Sequence, residues 1–314
     1  MAPVELPVIG FIGLGAIGRP IAERIVAAGY RLIAHDINSA ALASFANIER
    51  ADHAAEVADK ADIVFTCLTT PESHRKALWG PSGVVAGRRA RYCVHLGATG
   101  AQLVGEIVKQ LAPAGISVID APMTGGVPAA RSGTLTVMVS GQEDAFRAVE
   151  PVLQTYAGNI TYFGSSPGMA QTMKIVNNMI ALANLVIATE AVGVKAGLSP
   201  DDMLEVLNGG SARSAVTADK LPHYILPRKF DFGGTLGVVL KDVELFLDEA
   251  DKLGLTTPLG AAVRDAYKRA IEQGSASDDL TTVIRVSEKA AGVEFRKGNV
   301  PLFVENRSAS VPGF

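Results

Sequence analysis

The sequence predicts an α/β half, built on a doubly wound parallel sheet, followed by an all-helical half joined to it by a long helix. Three observations carry this. Short apolar runs alternate with helical patterns through the first half of the 314 residues. A glycine-rich turn lies between the first apolar run and the first helix. Beyond Gly168 apolar residues recur at helical spacing instead. The length fits about two domains, because single cores stop growing near ~250–300 residues.

Residues 8–12 (VIGFI) form the first strand, ended by glycines, and 20–28 follow with helical periodicity and a stop at Gly29. Residues 30–36 read as a second strand and 40–45 as a short helix. Residues 62–68 (DIVFTCL) are a strand closed by Thr69, Thr70 and Pro71. Strands follow at 91–96, 116–119, 134–139 and 160–163, with a helix near 144–156. Apolar runs spaced by helices make βαβ units, whose sheet is parallel and covered on both faces.

From 169 to 196 the only Gly or Pro is Gly193, which predicts one helix of ~42 Å at 1.5 Å per residue. Gly197 stops it; Ser199 and Pro200 supply an N-cap and a first-turn proline for the next. Residues 201–207, 236–253, 259–272 and 280–290 are also helical in period. The tail 298–314 is rich in turn residues and is expected to lie over the surface.

Composition excludes several classes. With 48% hydrophobic residues and a net charge of −3, the chain is not intrinsically disordered. Its 29 Lys and Arg against 32 Asp and Glu give no footprint for nucleic acid or an anionic membrane. Cys67 and Cys93 sit in apolar runs and form neither a disulfide framework nor a zinc spacing. His35, His53, His74, His95 and His223 form no ligand-spaced cluster, so no metal is expected. The N-terminus has no basic segment followed by an apolar one. The longest uncharged helical stretch, 175–189, is shorter than the ~20 residues of a bilayer span. A soluble, cytoplasmic protein acting on a small molecule is the expectation.

Gly13, Leu14, Gly15, Ala16, Ile17 and Gly18 fit G-x-G-x-x-G. Alone the pattern is weak, but here it follows a strand and opens a helix. Gly13 permits the tight turn, Gly15 lets the backbone approach a pyrophosphate, and Gly18 allows close helix–strand packing. The helix N-terminus offers N–H groups and partial positive charge to the phosphates. The first domain, 1–166, therefore reads as a Rossmann-type dinucleotide-binding domain, and 167–297 as a second, all-helical domain. Asp36 ends the second strand, placed to accept ribose hydroxyls and repel a 2′-phosphate, and Ile37 beside it offers that phosphate no cation. NAD is expected over NADP; a bare turn cap is the other reading of Asp36.

Lys174 and Asn178 lie four apart on the long helix, hence on one face. A lysine desolvated among Met169, Met173, Ile175 and Val176 would serve as an acid or base near neutrality. Periodicity equally describes a lysine snorkelling at a helix end. In the loop Asp120–Ala121–Pro122–Met123–Thr124–Gly125–Gly126, amides and a hydroxyl suit a carboxylate, or make an ordinary turn. Lys241 and Asp242 read by themselves as a solvated charged pair.

Taken in order, these segments resemble the β-hydroxyacid dehydrogenase family, which includes 3-hydroxyisobutyrate dehydrogenase. GLGAIGRPIAERIVAAGY resembles the family's GLGxMGxPMAxNLxxAGH, and DAPMTGG its DAPVSGG. GSSPGMAQTMKIVNN matches GxxGxGxxxKxxxN at the lysine and asparagine, with Ser166 in place of a further glycine. LKDVELF resembles KDLxxA. The resemblance runs from Gly13 to Phe246 and implies Lys174 as catalytic acid/base, with Asn178 helping to anchor substrate. It implies that Thr124, Gly125 and Gly126 bind the substrate carboxylate, that Lys241 sits by nicotinamide and substrate, and that Leu68 and Thr69 line the cofactor. It implies as well that the helical domain, 167–297, serves substrate binding and oligomerisation, with homodimers or homotetramers built through helical domains.

One stretch departs from the family. Where D-x-S-T is frequent, this chain has His95, Leu96, Gly97, Ala98, Thr99 and Gly100. Both hydroxyls are missing at their aligned places, leaving Thr99, one step on, toward the cofactor. A differently shaped substrate is expected, and His95 is expected to bond backbone as a strand-end histidine.

The expected activity is hydride transfer between NAD and a small 3-hydroxy acid or semialdehyde. Competing readings are an NADPH-dependent glyoxylate or succinic semialdehyde reductase, against which Asp36 argues, and a non-catalytic dinucleotide-binding sensor, against which Lys174 argues. Imine reductases usually replace the lysine, and the stretch after Asn178 lacks the histidine and glutamate-tyrosine pattern of 6-phosphogluconate dehydrogenase.

Overall fold

The computed structural model describes residues 6–298. The chain forms two compact units, one closing at Ile175 and the other opening at Val176. The division falls inside a helix, nine residues beyond the boundary expected from composition. Apart from Gly298, the expected surface tail lies outside the described residues.

Among the described residues of the first unit, nine strands are joined by seven α-helices and two short 3₁₀ helices. The strands are β1 (Ile9–Ile12), β2 (Leu32–His35), β3 (Glu49–Arg50), β4 (Ile63–Thr66), β5 (Tyr92–His95), β6 (Ser117–Asp120), β7 (Met123–Thr124), β8 (Leu135–Val139) and β9 (Ala157–Tyr162). The helices are α1 (Gly18–Ala27), α2 (Ser39–Ala43), α3 (Ala54–Lys60), α4 (Pro71–Trp79), α5 (Ala101–Leu111), α6 (Gly126–Ser132) and α7 (Glu143–Leu153). The main sheet has the order β3-β2-β1-β4-β5-β6, and all its pairs are parallel. The order reverses direction at β1, the topological switch point where doubly wound sheets bind ligands outside the strand C-termini. A smaller sheet, β7-β8-β9, pairs β7 antiparallel and β9 parallel to β8.

Alternation along the strands builds a core on each face. Ile9 and Phe11 of β1 join Ile21 and Ile25 of α1 and Val149 of α7. Ile12 joins Val57 of α3 and Leu103 and Ile107 of α5 on the other face. Phe11 and Phe65 stack with ring centroids 5.9 Å apart. Gly10 explains the close approach of α3: a Cβ there would stand 2.4 Å from Val57 Cγ1.

The second unit is helical, as its spacing predicts. Helix α8 (Met169–Ala188) crosses the boundary, and α9 (Val192–Lys195), α10 (Pro200–Gly209), a π-helix (Val216–Ile225), α11 (Leu236–Lys252), α12 (Pro258–Gln273) and α13 (Ile284–Ala291) follow. Two details correct the sequence reading, and a third lies in a stretch it left unassigned. The long helix ends at Ala188, not at 196. Thr189 donates its hydroxyl to the carbonyls of Leu185 (2.8 Å) and Val186 (3.0 Å), and Glu190 N–H bonds Ile187, which tightens the last turn and closes the helix. Residues 280–283 are 3₁₀, so the last helix begins at Ile284. Residues 216–225 wind as a π-helix around Pro222, which has no N–H to donate to an α-helical ladder.

Counted through the break at 189–191, Met169–Lys195 is long and apolar enough to cross a membrane by length and composition. Leu182 and Leu185 of this stretch lie in the core of the helical unit, and the buried Tyr267 of α12 donates to Leu182 O (3.3 Å). One face of the stretch is thus packed into the core of the helical unit.

Candidate active site

The glycine loop has the geometry its pattern demands. Gly13 has φ +100°, and a Cβ there would meet Cys67 O at 2.3 Å. A Cβ on Gly18 would meet Gly13 O at 2.1 Å. Gly15 faces open space, and Gly15 and Ala16 are exposed. Leu14 is buried, whereas Ile17 is half-buried at the N-cap of α1 with no side chain capping the helix. A helix start with no side chain capping it, beside a glycine that faces open space, fits a pyrophosphate. Leu68 lies against the loop, its Cδ2 2.9 Å from where a Gly13 Cβ would stand, and Thr69 is exposed just beyond it.

Asp36 locks the loop to the end of β2. Its Oδ2 accepts from Leu14 N–H (2.6 Å) and its Oδ1 from Asn38 N–H (2.7 Å). Each carboxylate oxygen has a second acceptor site left for a sugar hydroxyl. Ile37 is 93% exposed beside it and brings no positive charge.

The substrate-loop residues follow β6. Thr124 ends β7, Gly125 is the N-cap of α6 with φ 127°, and Gly126 opens that helix with φ 70°. Only glycine holds two successive positive φ angles cheaply, and a Cβ on Gly125 would also meet Ala129 Cβ at 2.6 Å. Thr124 and Gly126 are half-buried and Gly125 is exposed.

Asp120, at the head of this loop, is 1% exposed and caps the first turn of α8. Its Oδ2 accepts from Gln171 N–H (3.2 Å) and Ser140 Oγ (3.4 Å), and its Oδ1 from Gln171 Nε2 (2.7 Å). Ser140 Oγ in turn accepts from Ala170 N–H (3.1 Å). Burial pushes the Asp120 carboxyl up to about 7 although these donors pull it down. Gly168 lets α8 begin here: a Cβ on it would stand 2.8 Å from Ala101 Cβ of α5. Lys174, half-buried, follows Gln171 by three residues and so lies on its face of the helix.

The turn after β5 departs from expectation. His95 bonds a side chain, not backbone: its Nε2 lies 2.9 Å from Thr99 Oγ1. Thr99 is buried and its N–H goes to Gln171 Oε1 (2.9 Å), so its hydroxyl and amide are both committed inward. His74 of α4 packs edge-on against His95, ring centroids 4.4 Å apart, and its Nε2 lies 3.1 Å from Leu68 O. Burial, with the neighbouring His74, holds the His95 imidazole well below the usual histidine range. Both cysteine thiols are pushed up to about 12 by burial, which leaves them unreactive.

Within the helical unit, Asn178 and Lys241 meet through Asp242. Asn178 Nδ2 donates to Asp242 Oδ2 (2.8 Å), and Lys241 Nζ lies 3.1 Å from Asp242 Oδ1. Asp242 is buried, so the pair that reads as solvated in sequence is half inside. Gln171, Asp120 and Asp242 were not singled out as site residues from sequence. A polar residue one turn before Lys174 was the available signal for Gln171. Asp120 heads the DAPMTGG motif and Asp242 follows Lys241 in LKDVELF, but neither motif tells that these carboxylates are buried.

Comparisons with known proteins agree with this geometry. Residues 8–164 match the family model described as the NAD binding domain of 6-phosphogluconate dehydrogenase. Residues 168–287 match the model described as NAD-binding of NADP-dependent 3-hydroxyisobutyrate dehydrogenase. The 2-(hydroxymethyl)glutarate dehydrogenase of Eubacterium barkeri is 31% identical over 295 residues, 92% of this chain and 98% of that protein. The L-threonate dehydrogenase of Cupriavidus necator is 30% identical, covering 88% of this chain and 95% of that one. Among solved structures, the 3-hydroxyisobutyrate dehydrogenase of Mycobacterium tuberculosis with L-serine superposes with a TM-score of 0.80 at 28% identity, over 90% of this chain and 99% of that one. A pyridine-nucleotide-binding sheet, a lysine helix keyed to its edge and relatives matched over nearly their whole length lead to one assignment: the chain belongs to the β-hydroxyacid dehydrogenase family.

Proposed function

We propose that the protein is an NAD-dependent dehydrogenase of a small 3-hydroxy acid, working reversibly with the corresponding semialdehyde. One observation carries the reading. The C-terminal ends of β1, β4, β5 and β6 present the glycine loop, Leu68, the 96–100 turn and Asp120, and the helix bearing Lys174 docks on Asp120. When bound, NAD would supply the hydride acceptor.

The protein's own groups do the rest. The Gly13–Gly18 loop holds the pyrophosphate and Asp36 the ribose diol, which favours NAD over NADP. Thr124, Gly125 and Gly126 hold the substrate carboxylate by a hydroxyl and backbone amides. In the oxidising direction Lys174 Nζ takes the proton of the substrate hydroxyl; in the reducing direction its ammonium returns one to the carbonyl oxygen. Asn178, held by Asp242, anchors the substrate, with Lys241 beside it. The names of the relatives support the class: each acts on a carboxylic acid that carries a hydroxyl.

A panel of 3-hydroxy acids with NAD and with NADP, followed by nicotinamide absorbance, tests this. Lys174→Ala is expected to lose about 10²–10⁴ in turnover while still binding NADH. Wild-type-like turnover in that variant would remove the assignment. Binding of NADH with no turnover across acids and semialdehydes would favour a sensor, and preference for NADPH with glyoxylate or succinic semialdehyde would favour the other reductase.

We also propose a homodimer or homotetramer formed through the helical unit. Ile180 and Ile187, seven apart on α8 and so on one face, are 58% and 64% exposed. Light scattering of the wild type and of Ile187→Glu reads this; a wild-type monomer would refute it. A reducing cytoplasmic setting suits the two free cysteines.

A further inference from the structure

Gln171 has every hydrogen-bonding site of its side-chain amide filled. Oε1 accepts from Thr99 N–H (2.9 Å) and Gly100 N–H (3.0 Å). Nε2 donates to Gly97 O (2.8 Å) and Asp120 Oδ1 (2.7 Å). A primary amide offers two lone pairs and two N–H bonds, and all four are used at a residue with no solvent exposure. Its backbone N–H adds a fifth bond, to Asp120 Oδ2.

The five bonds tie together three places that chemistry needs in register. Gly97, Thr99 and Gly100 form the turn after β5. Asp120 ends β6 and leads directly into the carboxylate loop at Thr124. Gln171 itself is one helical turn before Lys174. The Thr99 hydroxyl continues the chain of contacts to His95, and the His95 ring to His74, whose Nε2 reaches Leu68 O beside the glycine loop. A purely structural amide would need only to satisfy its own atoms. This one binds the catalytic helix to two strand ends at once, and a side chain of any other shape leaves at least two buried backbone groups unpaired.

Resting on the dehydrogenase reading above, we propose that Gln171 is a positioning residue for Lys174, setting the lysine helix against the 96–100 turn and the strand end that leads to the carboxylate loop. It touches neither substrate nor cofactor and acts through backbone placement. Misplacing a reacting group by about 1 Å costs on the order of 10²-fold in rate, which sets the expected effect.

The isosteric acid gives a readout that a packing role would not. In Gln171→Glu, one carboxyl oxygen still accepts from Thr99 and Gly100, but the other faces both Asp120 Oδ1 and Gly97 O, where the amide donates two bonds. Two carboxylates so placed cannot both ionise, so the variant keeps the tie to Asp120 only while the pair shares a proton, and it leaves Gly97 O without its donor at every pH. The groups packed around that pair are Asp120 on β6, Ser140 after β8 and, behind Thr99, His95 on β5 and His74 on α4. The ratio of variant to wild-type turnover should therefore fall as pH rises.

The experiment uses the full chain with NADH-titrated sites. Single-turnover rates are measured for wild type, Gln171→Met and Gln171→Glu across pH, together with NADH affinity and hydrogen exchange of the 96–105 segment. Expected are a 10–100-fold loss of turnover in Gln171→Met, NADH affinity within about threefold, since the glycine loop is not touched, and faster exchange at Thr99 and Gly100. Gln171→Glu should recover toward wild type at low pH only. Unchanged turnover per NADH site, unchanged exchange, or a Gln171→Glu ratio independent of pH would overturn the proposal. A wild-type protein inactive on the whole substrate panel would instead count against the dehydrogenase reading, with exchange at 96–105 still reporting the Gln171 tie.

Discussion

A Cβ on Gly97 would stand 2.8 Å from Nε2 of His74. The imidazole is held there by Leu68 O and by the His95 ring. The missing hydroxyl at 97 therefore opens no room for substrate, because His74 fills the place. Gly97→Ser is expected to destabilise by about 1–3 kcal/mol through overpacking, and the cost should shrink when His74→Ala is added. Urea unfolding of the four proteins in a double-mutant cycle measures the coupling. Equal costs in the two backgrounds would show that the contact does not matter.

Asp36 joins the second strand to the glycine loop through Leu14 and Asn38. Asp36→Ala removes the carboxylate that would receive the ribose diol. Hydrogen bonds to charged groups are worth about 1.5–3 kcal/mol, so NAD affinity should fall by roughly 10–100-fold while NADP affinity changes much less or rises. Fluorescence titration with both reduced cofactors checks this. A parallel loss for both would show that the residue supports only the loop.

Asp242 takes Asn178 on one oxygen and Lys241 on the other. Asp242→Ala releases both side chains, and losing a buried partner costs about 1–3 kcal/mol. The expected result is a lower kcat/KM, most of it in KM, since Asn178 and Lys241 are assigned to binding and not to proton transfer. Asp242→Asn should keep the Asn178 contact and lose less. A pure kcat effect would contradict that division of labour.

The main sheet was legible because each of its longer strands is an apolar run, and alternation with helices dictates parallel pairing. The glycine loop was legible because sterics at Gly13 and Gly18 admit nothing larger. Lys174 and Asn178 stood out by spacing and, above all, by family resemblance. Gln171 shows in the sequence only as a polar residue one turn before Lys174; its role stays hidden because its partners lie 51 to 74 residues earlier in the chain. Asp242 meets Asn178 across 64 residues, so only the folded chain shows that it is buried and shared. The break after Ala188 involves no Gly or Pro; it comes from a hydroxyl turning back on its own helix. Two-residue strands such as β3 and β7 are too short to carry any period.

Asp120 and His95 sit opposite each other in the β5–β6 register, and burial shifts them in ways that oppose in pH. Asp120 ionises near 3.9 when unfolded but at about 7 when folded. Between those values the folded state holds the extra proton, so this group makes stability fall as pH rises. His95 has the reverse sign. Unfolded, it protonates below about 6.5; folded, it stays neutral, so its contribution is full above 6.5 and is lost as pH falls. From about pH 4 to 6.5 the two slopes offset each other in the wild type. Asp120→Asn removes one of them, and its unfolding free energy should climb with pH across that window more steeply than the wild type's. His95→Gln should tilt the other way, with stability declining toward pH 7. Urea unfolding at half-unit pH steps compares the slopes, whatever constant offset each substitution adds. Parallel curves for all three proteins would mean that neither group carries the shift its burial implies.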